Sequence, residues 1–163
     1  MSEHKDAIVE QWLAAIFATY PAETSTFLYN EKDPFANPMG HNLATGVRDL
    51  VEQLVLDPDD VDRLRPPLDV ILRLRNVQEF SASQALAFVF ALKDVMRRVL
   101  PLDDAQQQAM LDFDRRVDGL ALLAFDIFMS CKEKLYEIRV GEMKRRTAKL
   151  VERMNRIYGT EPE

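Results

Sequence analysis

Leu72-Arg73-Leu74-Arg75-Asn76-Val77-Gln78 places two arginines and a glutamine among aliphatic residues, and Ala124-Phe125-Asp126-Ile127-Phe128 does the same with a carboxylate. A charge on an apolar face is costly to desolvate unless an opposite charge or several hydrogen bonds meet it. The pattern therefore predicts Asp126 mostly buried and paired with an arginine, Arg75 first and Arg73 second. Such a group either fixes the register of packed helices or lines a polar pocket for a small ligand, and both readings stand. His41 joins it from the stretch Asp33-Pro34-Phe35-Ala36-Asn37-Pro38-Met39-Gly40-His41. There Asn37 suits an N-cap and Pro38 the first helical position, so His41 falls in the first turn beside unpaired amides. It reads as a hydrogen-bonded structural histidine, as an inward member of a ligand site with Arg73, Arg75, Gln78 and Asp126, or as a haem or metal ligand.

Little else in the chain is equipped for chemistry. No nucleophile motif, glycine-rich phosphate loop, Cys/His zinc array or paired-histidine metal site is present. The histidines, His4 and His41, are far apart, and no metal site and no catalytic residue is expected. A lone cysteine, Cys131, cannot make an intramolecular disulfide and reads as a small core residue or a redox switch. Lys144-Arg145-Arg146 reads as a solvated basic face or as a docking surface for an acidic partner.

At 163 residues with 47% hydrophobic and 29% charged residues, the chain has the size and composition of one globular domain. The net charge of −6 argues against a general nucleic-acid binder, which needs clustered positive charge. The charge is uneven: residues 132 to 158 hold nine Lys or Arg against four Glu, a balance of +5 in an otherwise acidic chain. The N-terminal MSEHKDAIVE is too charged for a signal peptide, and no apolar run approaches the roughly 18 residues needed to span a bilayer. A soluble cytoplasmic protein without membrane contact is expected.

The elements that must position these groups read as helices throughout. Ile8, Val9, Trp12, Leu13, Ile16, Phe17 and Tyr20 form one helical stripe ending before Pro21. Residues 22 to 37 read as irregular, anchored by Phe27, Tyr29 and Phe35. A second helix runs from Pro38 to about Leu56, and Asp57-Pro58 starts a short turn ending before Pro66-Pro67. The next helix covers about 67 to 79. Ser81-Ala82-Ser83-Gln84 matches a capping box opening a helix to about Val99, with ALAFVFAL apolar all round. Pro101 stops that helix, and one or two long helices fill Asp103 to about Arg156 around a seam from Met110 to Ile138. The expected fold is all-α: a single globular bundle over residues 1–163 with a long C-terminal helix whose residues 139–158 are expected to form a projecting arm.

The succession Trp12…Tyr20-Pro21, the block DPFANPMGH, the block Arg75-Asn76-Val77-Gln78-Glu79-Phe80-Ser81-Ala82-Ser83-Gln84-Ala85, then Ala124-Phe125-Asp126 and Arg139 with Glu142, resembles the RsbRD N-terminal domain family. These are sensory modules of RsbT co-antagonist proteins, which in multidomain relatives precede a phosphorylatable STAS domain. The resemblance implies a globin-like, non-haem, homodimeric helical module. It also implies a non-enzymatic role: binding a small ligand or a regulatory protein partner and signalling through the C-terminal helix. The 163 residues hold no STAS domain, so its phosphorylation is not carried over. A haem- or redox-cofactor protein using His41 is the alternative; otherwise no cofactor is expected.

Overall fold

Ile8, Val9, Trp12, Ile16 and Phe17 follow the three-and-four spacing of one helical face, and all five are buried in α1 (Lys5–Phe17). The computed structural model describes residues 4–78, 80–100 and 107–159. Among these the chain continues as α2 (Ala22–Asn30), α3 (Pro38–Leu56), α4 (Val61–Val77), α5 (Ala82–Val99) and α6 (Gln107–Tyr158), with no strand. The fold is thus all-α with a long C-terminal helix. The stop at Pro101 and the helix start near Asp103 lie outside the described residues.

Residues 22 to 30 are helical, contrary to the irregular segment predicted. Pro21 is extended at ψ 147°, and its carbonyl accepts the Ser25 amide at 2.8 Å, so Pro21 stands at the N-cap and initiates α2. Only one face of this helix needs covering, and Leu28 is its buried residue. The expected aromatic anchors point outward instead: Phe27 and Tyr29 are half exposed and Phe35 is 95% exposed.

The connection from α2 to α3 is held by Asn37, which is buried. Its side-chain oxygen accepts the Gly40 amide at 2.8 Å, while its Nδ2 donates to the carbonyls of Glu31 at 3.0 Å and Leu28 at 3.3 Å. One amide group thus caps the start of α3 and ties down the end of α2. Gly40 is required because a Cβ there would fall inside the Asn37 side chain.

Helix α4 starts at Val61 and passes through Pro66 and Pro67, so the predicted break is absent. Its N-cap is Asp60, which accepts the Arg63 amide at 3.1 Å, in place of the expected start at Asp57-Pro58. The prolines forfeit two backbone donors near the helix start, where Asp62 and Arg63 are exposed and water can satisfy their carbonyls. Leu64, Pro67, Leu68, Ile71 and Leu72 keep a single buried face across the site. That face packs on α3, with Gly46 close enough that a Cβ would lie 3.0 Å from Ile71 and 3.4 Å from the Pro67 carbonyl.

Helix α1 packs against α3 and α5. Helix α5 opens with the predicted capping box: Ser81 accepts the Gln84 amide at 3.3 Å and Gln84 accepts the Ser81 amide at 3.0 Å. Its apolar run is covered less completely than predicted, since Phe90 is 49% exposed. Within α6 the residues Val117, Leu120, Ala121, Ala124, Ile127 and Phe128 are buried, and Lys93–Asp118 (2.6 Å) and Arg97–Asp114 ion pairs link α5 to α6. The chain divides within α6 into one unit up to Met129 and a second from Ser130 onward. The described residues of the second unit are one helical stretch with a short end, and residues 142 to 159 are all exposed. Among the described residues no helix is long and apolar enough to cross a membrane.

Candidate functional site

Arg75 is fully buried near the end of α4, and what meets it is not a carboxylate. Its Nε donates to the Ala85 carbonyl at 2.9 Å, Nη2 to the Gln84 carbonyl at 2.8 Å, and Nη1 to the Thr19 hydroxyl at 3.1 Å. Three rings surround the guanidinium: Phe80 with its centroid at 4.5 Å, and Tyr20 and Phe88 at 5.5 Å. Such faces attract a cation through their quadrupoles. Tyr20 and Phe80 meet edge to face at 5.4 Å. Phe88 stacks on Trp12 at 5.9 Å, and the Trp12 indole donates to the Phe88 carbonyl at 2.7 Å. The fork of Arg75 therefore ties α4 to the first turn of α5 and to the segment after α1.

Burial sets the electrostatics of this group. Desolvation lowers the Arg75 pKa from the ordinary guanidinium range, with the nearby Tyr20 opposing it. Desolvation likewise pushes the Tyr20 hydroxyl above its usual value, and the positive charge of Arg75 pulls the other way. The Tyr20 hydroxyl, Asn76 Oδ1 and Gln78 Oε1 are buried oxygens without a hydrogen-bond partner among the described residues.

The structure does not assemble the predicted cluster. Asp126 is exposed, which corrects the expectation of a buried carboxylate paired with Arg75. On α6 the inward face is Ala124, Ile127 and Phe128, and both Phe125 and Asp126 turn outward. Arg73 is exposed and bridges Asp69 at 2.6 Å on its own helix, since residues two apart on a helix face opposite ways. His41 is exposed in the first turn of α3, contrary to the inward placement predicted. Gln78 is half-buried and donates to the Met39 sulfur. Of the five nominated ligand residues, only Arg75 and Gln78 are drawn into the body. Sequence reading missed Thr19, Tyr20, Phe80 and Phe88; the clue was an arginine in a buried stripe with no inward acid. Among the described residues no group of three His, Cys, Asp or Glu is placed to hold a metal.

Lys144, Arg145 and Arg146 are exposed in the second unit. Arg145 donates to the Gly141 carbonyl at 3.3 Å, on its own helix. Alongside Lys144 and Arg146 runs an uncovered apolar line that continues past the predicted seam's end at Ile138. Tyr136, Met143, Leu150 and Ile157 recur every seven residues and are 60%, 68%, 61% and 63% exposed. Val140 and Met154, with Thr147 between them, form a second row at the same spacing and are also exposed.

A protein from Archaeoglobus fulgidus, described as uncharacterized, is 25% identical over 136 residues, covering 83% of this chain and 82% of its own length. No solved structure matches the chain. The family described as RsbT co-antagonist protein rsbRD N-terminal domain matches residues 6–143, which span α1 to α5, the Arg75 cage and most of α6. The chain belongs to the RsbT co-antagonist rsbRD N-terminal domain family.

Proposed function

We propose that this chain is a non-enzymatic, cytoplasmic regulatory module of stressosome-type signalling that engages a regulatory protein partner through α6. One observation carries the reading. A single continuous helix supplies core residues at Val117 to Phe128 and then leaves an apolar line and a basic run exposed from Tyr136 to Ile157. An uncovered apolar line of that length is costly to leave in water and is expected where a partner binds. The family supports a regulatory role, and the resemblance adds a homodimer and a small-molecule signal. Such a signal would be read in the first unit, where Arg75 and Gln78 reach the body.

The test is a calorimetric titration of the full chain with a purified stressosome-type STAS-domain protein. A saturable complex that is lost with Leu150→Asp, while the far-ultraviolet spectrum stays unchanged, is the expected result. No complex, or one indifferent to that change, would defeat the reading.

A further inference from the structure

The chemistry of the partner is written in the flanks of the exposed line on α6. With Val140, Thr147 and Met154 in one row and Met143, Leu150 and Ile157 in the other, the residues alternate by three and four, as in the a and d positions of a heptad. The period argues for a helix as the occupant. A strict seven-residue line drifts by about 20° per heptad on a straight α-helix, or about 60° between Tyr136 and Ile157. A flat surface, such as a bilayer, would lose contact with a line that turns away in this manner. A second helix that supercoils with it would not.

The charges restrict which helix. Arg139, Arg146 and Arg153 recur every seven residues along one flank, and Lys144 stands on the other. Of the three acids of this stretch, Glu142 and Glu152 fall at positions remote from the line, with Glu152 engaged by Arg156 at 3.2 Å. Glu137 stands one heptad before Lys144 on its flank, which leaves the three arginines of the other flank without an acid among them. Among the described residues, none of Arg139, Lys144, Arg146 and Arg153 is in an ion pair. A second copy is a poor occupant. In parallel it would set Arg139 against the other copy's Lys144, which cancels the one attractive pairing of the register, Lys132 with the other copy's Glu137, and, one heptad before Val140, it would stack Glu133 on itself. Antiparallel, it would face the arginine row with another.

We propose that the stretch of α6 from Tyr136 to Ile157 is a docking surface for an acidic amphipathic helix of another protein, which lies along it as a two-stranded coiled coil with its carboxylates against Arg139, Lys144, Arg146 and Arg153. This rests on the regulatory reading above and names the chemistry of the partner. Bidentate geometry favours glutamate or aspartate side chains opposite the arginines.

The probe is a synthetic peptide about three heptads long, with Ile and Leu in its apolar rows and Glu on both flanks, whose own like charges keep it from self-pairing. Its counterpart carries Lys in place of Glu. Fluorescence anisotropy with the full chain is expected to show the Glu peptide binding about tenfold or more tightly than the Lys peptide, with affinity falling as salt rises. The triple variant R139E/R146E/R153E should reverse the order, and circular dichroism checks that its helix content is kept. Four results would each overturn the proposal: equal binding of both peptides, binding of neither, a dimer in sedimentation that Leu150→Asp dissolves, or preferential binding of this helix to vesicles containing phosphatidylserine. Binding of neither peptide would leave the regulatory reading to its own titration with the STAS-domain protein.

Discussion

Replacing Arg75 separates the value of its charge from the value of its shape. The guanidinium makes three hydrogen bonds, two to backbone carbonyls and one to Thr19. Bonds from a charged donor contribute about 1.5–3 kcal/mol each, net of the water they replace. Three ring faces add about 0.5–1 kcal/mol apiece or more. Against this stands the desolvation of a fully buried cation, several kcal/mol. The difference leaves Arg75→Met costing about 2–4 kcal/mol, since it removes the desolvation along with the bonds. Arg75→Lys keeps a buried charge but exchanges a planar fork for a point donor that cannot reach all three acceptors. Its cost should match or exceed that of Met, about 3–5 kcal/mol. Urea denaturation followed by circular dichroism measures both, and the Met variant should melt lower by on the order of 10 °C. The order of the two variants is the decisive result. A lysine variant as stable as the parent would show that charge alone matters and that the fork geometry is irrelevant.

Three further outcomes follow from the helix ends and from Tyr20. Ser81→Ala should cost about 1 kcal/mol in a denaturation midpoint, since it removes the acceptor for the Gln84 amide; an unchanged midpoint would reject the cap. Asn37→Ala should cost more than that, about 2 kcal/mol or above, because it orphans groups of two helices, whereas Asn37→Asp should recover the Gly40 contact but not the bonds to Leu28 and Glu31. Equal losses for the two variants would contradict that division. Tyr20 has a folded pKa raised by burial, so its contribution is complete below about pH 10 and is lost as pH rises through the folded value. Stability measured from pH 9 to 11, a span chosen around the ordinary tyrosine pKa of about 10, should decline more steeply in the parent than in Tyr20→Phe; parallel curves would refute it.

Helix starts were the most legible feature of the sequence, because their chemistry is local. Asn37-Pro38 and Ser81-x-x-Gln84 each carry their own hydrogen-bond partners within four residues, and both caps form as predicted. Proline was the less dependable sign. Pro21 opens α2, and Pro66-Pro67 lie inside α4, since the cost of a lost donor depends on whether the freed carbonyl reaches water. The candidate site depended on helical phase, which short apolar runs do not determine. Ala124 to Phe128 reads as uniformly inward, yet five consecutive residues must cover every side of a helix, and Asp126 took the outward one. Arg73 and Arg75 divide in the same way. The rings around Arg75 come from three separate segments and only the packing brings them together. The exposed line of α6 was present in the spacing of Tyr136, Met143, Leu150 and Ile157, but apolar periodicity does not tell a covered face from an uncovered one.

The double duty of Asn37 bears on how the molecule breathes. Helix α2 buries little besides Leu28 and would be expected to fray early, as short helices with one anchoring residue do. Its last carbonyls, however, share a side chain with the first turn of α3, whose Leu43, Val47 and Leu50 lie in the deepest part of the core. Loosening the end of α2 therefore withdraws the acceptor that protects the Gly40 amide. Hydrogen exchange at Gly40 and at Glu31, whose amide donates to the Phe27 carbonyl, should share one opening event instead of two. A peripheral helix is in this way enrolled in the cooperative unit of a central one through a single carboxamide.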